Sequence, residues 1–151
     1  MIDKLKGLLA GGSKPEEKAR PDLKVATAAI LLEVAESDQD FAPEEHAVIV
    51  SMLGERFDLD PGEVNALIEE AQRQRAGHPD LWPFTHAIGQ VYRPDEKLEL
   101  LVMVWRVIFA DGRLDPYEDQ LAHRLERMLS INHSLLMEGK RLAREAVASQ
   151  E

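Results

Sequence analysis

The chain predicts an all-α fold, a single bundle of about seven or eight helices, and three observations carry that prediction. From Pro21 onward the apolar residues recur at helical spacing. No stretch sustains the period-2 alternation of a half-buried strand. One helix, acidic loop, helix unit occurs twice. The copies superpose without a gap at an offset of 73 residues, placing Asp38 on Asp111, Phe41 on Leu114, Pro43 on Pro116 and Glu45 on Glu118. Leu31 and Val34 fall on Val104 and Val107 upstream, and Val48 and Met52 fall on Leu121 and Leu125 downstream.

Taken in order, residues 1–20 form a short amphipathic segment and a flexible linker, and 21–151 form the helical domain. Ile2, Leu5, Leu8 and Leu9 share one face of the opening segment, too short for an independent helix or a firm membrane anchor. Gly11-Gly12-Ser13 reads as linker. Leu23, Ala26, Ile30, Leu31 and Val34 define the first helix, whose broad apolar face places it centrally. Pro43 suits the first position of the next helix, with Val48, Met52 and Leu53 inward through Phe57. Asp60 and Glu63 form a capping box for a third helix that Gly77 and Pro79 end, and that start has no counterpart in the repeat.

A shorter helix spans Asp80 to Tyr92, with Leu81, Trp82, Phe84 and Ile88 inward. Pro94 opens the second central helix, whose run Leu98 to Phe109 is apolar nearly all round. Its length, and the charged Glu99 and Arg106 within it, decide for helix over buried strand. A helix from Pro116 carries Leu121, Leu125, Met128 and Leu129 inward, and Asn132 caps a last helix. Trp82 and Trp105 both read as core.

Composition narrows the function. The chain has no Cys, which removes disulfides, thiolate metal sites and Cys nucleophiles and suits a reducing compartment. No signal peptide is apparent, and no apolar run is long enough to cross a bilayer, so stable membrane insertion is not expected. The net charge of -10 is wholly accounted for by residues 25–72, where twelve acids face the single base Arg56. Such a surface repels phosphate backbones and argues against nucleic acid. It attracts cations or a basic protein partner.

The two acidic loops are the candidate site. Numbered as a calcium-binding loop, the second places Asp111 at position 5, Gly112 at 6, Asp115 at 9 and Glu118 at 12, but Val107 and Phe109 occupy positions that need oxygen ligands. The first offers Glu36, Asp38, Asp40 and Glu45, with Gln39 where glycine belongs. Neither is an EF-hand, yet each could give two to four carboxylate oxygens to a hard cation. The competing reading is local: Asp115 with Glu118 matches a capping box. Capping does not cover Asp38, Asp40 or Asp111, which lie too early, and Ala42 has no side-chain oxygen to pair with Glu45. His46 and His123, just past the loops, read as exposed helix positions or occasional ligands. No His pair has zincin spacing, and no P-loop, nucleophile elbow or dinucleotide fingerprint occurs, so the expectation is non-enzymatic.

The duplicated pattern, Ala110-Asp111-Gly112 followed by Glu118 and Ser37-Asp38-Gln39 followed by Glu45, resembles the TerB-like tellurite-resistance family over roughly Leu23 to Met137. The resemblance implies a compact bundle of two pseudo-twofold-related helix-loop-helix halves. It also implies a cytoplasmic role in tellurite resistance or a related stress response, and a metal ion at the loops. Carried over by position, the metal residues are Asp38, Glu45, Asp111 and Glu118; Asp40 and Asp115 join them from local geometry. Calcium or manganese suits all-oxygen ligands better than zinc. The departure is Gln39, which bears a steric cost if that position is left-handed. The alternative is an acidic helical interaction module with no metal site, its loop acids acting as caps and solvated charge.

Overall fold

A computed structural model of the chain describes residues 22–36, 43–78, 80–110 and 116–149. The opening amphipathic segment and linker therefore lie outside the described residues. Seven helices are present among them: α1 (Leu23–Glu36), α2 (Pro43–Phe57), α3 (Pro61–Ala76), α4 (Trp82–Val91), α5 (Pro94–Phe109), α6 (Pro116–Met128) and α7 (His133–Ser149). None is long and apolar enough to cross a membrane. The all-α bundle expected from periodicity is the fold observed.

Side-chain chemistry sets the helix starts. Asp22 accepts from Lys24 N at 2.7 Å and opens α1. At α3 the capping box is complete: Glu63 N donates to Asp60 Oδ1 at 2.8 Å and Asp60 N to Glu63 Oε1 at 3.0 Å. Arg93 N donates to Glu96 Oε1 at the start of α5, and Leu135 N donates to Asn132 Oδ1 at 2.8 Å at the start of α7. Four of the seven helices, α2, α3, α5 and α6, begin with proline, where a missing N–H goes unmissed.

The repeat extends further than two helices per half. At the 73-residue offset α1, α2 and α3 fall on α5, α6 and α7. The third helix does have a partner, contrary to the expectation from its capping box, because Asp60-Pro61 and Asn132-His133 start equivalent helices with different residues. Packing follows the same plan. In each half the first helix lies chiefly against the third, and the two first helices, α1 and α5, pack on one another. Helix α4 links the halves and lies against α1 and α6.

Even the turns correspond. Asp58 and Ser130 both adopt positive φ, at 54° and 56°. Behind them Leu59 N donates to Gly54 O at 2.9 Å and Ile131 N to Glu126 O at 3.1 Å. Both are the long-range bond of a Schellman turn, with an apolar residue following the left-handed one.

The core is centred on α1 and α5. From Val25 to Ala35 every residue of α1 except Glu33 is buried, and α5 buries Leu100, Leu101, Met103, Val104, Trp105, Val107 and Ile108. Trp105 belongs to the core as expected, with Nε1 donating to Leu136 O at 3.2 Å. Thr27 gives its only hydroxyl proton to Leu23 O, so Tyr92 Oη donates to Thr27 Oγ1 across the buried α1–α4 contact.

Trp82 is a correction. It is 58% exposed, and its ring stacks on His86 at 4.4 Å between centroids. Leu81, Phe84 and Ile88 take the inward positions of that segment, which leaves the tryptophan on the outer face one turn before His86. On α2 the inward stripe runs through Ile49, with Val48 only half-buried.

Candidate functional site

Each acidic loop joins the first helix of a half to the second. Helix α1 ends at Glu36 and α2 begins at Pro43, while α5 ends at Phe109 and α6 begins at Pro116. Pro43 and Pro116 each occupy the first helical position, which sets Glu45 and Glu118 at the third position of their helices. Acids there are favoured by the positive end of the helix. Asp38, Asp40, Asp111 and Asp115 lie outside the described residues, and Glu118 is placed only by its backbone in the first turn of α6.

Glu45 is the informative member. It is 1% exposed, with both carboxylate oxygens shut off from solvent. It heads the inward stripe Glu45, Ile49, Met52, Leu53, spaced i, i+4, i+7, i+8, whose other members are 3% exposed or less. A carboxylate held out of water costs several kcal/mol unless donors or a cation balance it. An exposed cap would carry no such cost. Glu118 occupies the equivalent helical register, ahead of Leu125.

The base of each loop is held by an arginine from the third helix of its half. In the first half Arg75 Nη1 meets Glu36 Oε2 at 2.7 Å and Nη2 meets Glu33 Oε2 at 2.5 Å. Gln72 Nε2 also donates to Glu36, at 3.0 Å. Burial works against the Arg75 charge, but its hydrogen bonds to Glu33 and Glu36 outweigh it and raise its pKa above the usual arginine value. Glu36, which loop numbering placed among the oxygen ligands, is thus engaged by a guanidinium. In the second half Arg144 lies over the Phe109 ring, 5.6 Å from its centroid. A cleft of about 580 Å³ opens beside Arg75, lined also by His78, Trp82, Phe84 and Arg124.

One grouping was missed by sequence reasoning. His123, Glu126 and His133 come together where α6 turns into α7, with one potential ligand atom from each lying within 4.8 Å of the others. His123 and Glu126 share a helix face at i, i+3, a visible signal. His133 joins them only through the turn at Ser130, which spacing alone does not reveal.

No curated protein and no solved structure matches the chain. A family model described as tellurite resistance protein TerB matches residues 24–139, a span that holds α2 to α6, both acidic loops and most of α1. With that match over most of its length, the chain belongs to the TerB tellurite-resistance family.

Proposed function

We propose that this TerB-family chain is a non-enzymatic cytoplasmic protein of tellurite resistance or a related stress response, which binds a hard divalent cation through its two acidic loops. The ligands are drawn from Asp38, Asp40 and Glu45 in the first half and Asp111, Asp115 and Glu118 in the second. The observation that carries the reading is the burial of Glu45. A carboxylate on an inward stripe, in the first turn after an acidic loop, is not the solvated acid of an ordinary helix end, and this supports a role for it at the loop. The second half repeats the loop length, the proline and the glutamate.

All-oxygen donors favour calcium or manganese over zinc. Gln39 stands in the first loop where the second has Gly112, which makes the second loop the stronger site. The test is calorimetric titration of chelator-treated protein with calcium and manganese. Asp111→Asn and Glu118→Gln are expected to abolish the heat of binding while leaving the helical circular dichroism unchanged. A flat titration with both ions would overturn the reading and leave the acidic face as a docking surface for a basic partner.

A further inference from the structure

The geometry points to a second and chemically different metal site, formed by His123, Glu126 and His133 at the α6–α7 turn, for a zinc-class divalent cation. It is independent of the acidic loops, since its donor set is two imidazoles and a carboxylate rather than carboxylates alone. Two imidazole nitrogens and one carboxylate oxygen suit zinc, with bonds of about 2.0–2.2 Å in a tetrahedral arrangement.

The donors lie close together. Glu126 Oε2 lies 3.5 Å from His123 Nδ1, and Oε1 lies 3.5 Å from His133 Nδ1. With one ligand atom taken from each residue, all three lie within 4.8 Å of one another, and small side-chain rotations bring them to the roughly 3.4 Å edge of a tetrahedron with such bonds. Both separations to Glu126 exceed the ~2.7–3.2 Å of a well-formed N–H···O hydrogen bond. The two rings stand nearly parallel, 8° apart with centroids 5.7 Å apart, both presenting nitrogen to the one carboxylate.

The backbone arranges this in advance. His123 and Glu126 lie one turn apart on α6. Glu126 O accepts from Ile131 N, and Ser130 takes φ 56°, so the chain folds back and delivers His133 over the Glu126 side chain. The trio is not a by-product of the repeat. On the 73-residue offset of α2 on α6, Val50 and Leu53 stand where His123 and Glu126 do, while the turn after α6 is one residue shorter and sets His133 against Pro61; Leu53 is fully buried where Glu126 is half-buried, with 19% of its side chain exposed. The second half has a carboxylate where the first has a core leucine, with two imidazoles beside it. Three protein ligands leave the fourth position of a tetrahedral ion open to water or to a donor from another molecule.

The test uses the full chain, freed of metal by chelator and titrated with zinc by calorimetry, with cobalt absorbance as a probe of tetrahedral geometry. One equivalent of zinc is expected. His133→Ala and Glu126→Gln are each expected to weaken it by at least about 100-fold, since even outer-shell partners of a metal cost 10–100-fold. His133 is exposed, so His133→Ala keeps the fold, which circular dichroism verifies. Asp111→Asn is expected to leave zinc binding unchanged, which separates this site from calcium or manganese at the loops. Absence of zinc uptake would overturn the proposal and leave the trio as imidazole–carboxylate pairing only. Uptake that survives His133→Ala unchanged would overturn it equally, by placing the zinc elsewhere.

Discussion

Gly139 in α7 lies so close to Leu101 in α5 that a Cβ added to it would stand 2.9 Å from Leu101 Cβ. The Leu101 carbonyl carbon follows at 3.4 Å and Val102 N at 3.5 Å, so the obstacle is not a flexible side-chain tip. This near-contact lets α7 settle along the second central helix, where Trp105 Nε1 reaches Leu136 O and Arg144 covers Phe109 at the edge of the second loop. Gly139→Ala is expected to destabilise the protein by about 1–2 kcal/mol. Overpacking costs about 1–3 kcal/mol, and the better helix propensity of alanine offsets up to about 1 kcal/mol. Urea unfolding should show a lower midpoint with an unchanged slope.

Arg75 holds the end of α1 through two acids, and removing its charge leaves Glu33 and Glu36 facing each other. Arg75→Met should cost roughly 1–2 kcal/mol, discounted because both carboxylates are more than a third exposed. The loss should shrink in about 1 M salt, where the screening length is near 3 Å. Denaturation at low and high ionic strength measures both.

Glu45 allows a test in which function and stability part. If its carboxylate is buried for a cation, Glu45→Leu extends the apolar stripe of Ile49, Met52 and Leu53. The metal-free variant should then be as stable as wild type or more stable, by up to about 1 kcal/mol, while the metal response disappears. A loss above about 1 kcal/mol without metal would mean that the carboxylate serves the fold itself. Chemical denaturation in excess chelator decides.

Ser130 carries positive φ without being glycine. Ser130→Gly removes a steric cost at the left-handed position and should stabilise the protein by about 0.5–1 kcal/mol. It should leave the meeting of His133 and Glu126 in place, because the Ile131 N to Glu126 O bond is a backbone interaction. Thermal unfolding of the metal-free variant reads the first effect and zinc titration the second.

Much of this was legible in the sequence, for local reasons. Pro43, Pro61, Pro94 and Pro116 mark helix starts because proline tolerates few other helical positions. The burial of α1 and α5 follows from runs with scarcely a polar break. The third pair of equivalent helices was hidden because Asp60-Pro61 and Asn132-His133 reach one geometry with different residues. Hydrophobicity alone does not reveal the outward turn of Trp82, because Leu81, Phe84 and Ile88 already fill the inward face. The burial of Glu45 could have been read from its i+4 spacing to Ile49, but the acidic neighbours Glu44 and Asp40 masked the stripe. The meeting of His123, Glu126 and His133 depends on a turn dihedral, and spacing alone does not encode that.

The most direct test of the account is the thermal unfolding of chelator-treated protein with calcium, manganese, magnesium and zinc added in turn, for wild type and Asp111→Asn. An ion at a hundredfold over its dissociation constant stabilises the fold by about 2.7 kcal/mol, a shift of several degrees for a domain of this size. Such a shift with calcium or manganese in wild type, absent in Asp111→Asn, is the expected result. No shift with either ion, or one that Asp111→Asn leaves untouched, would contradict cation binding at the acidic loops.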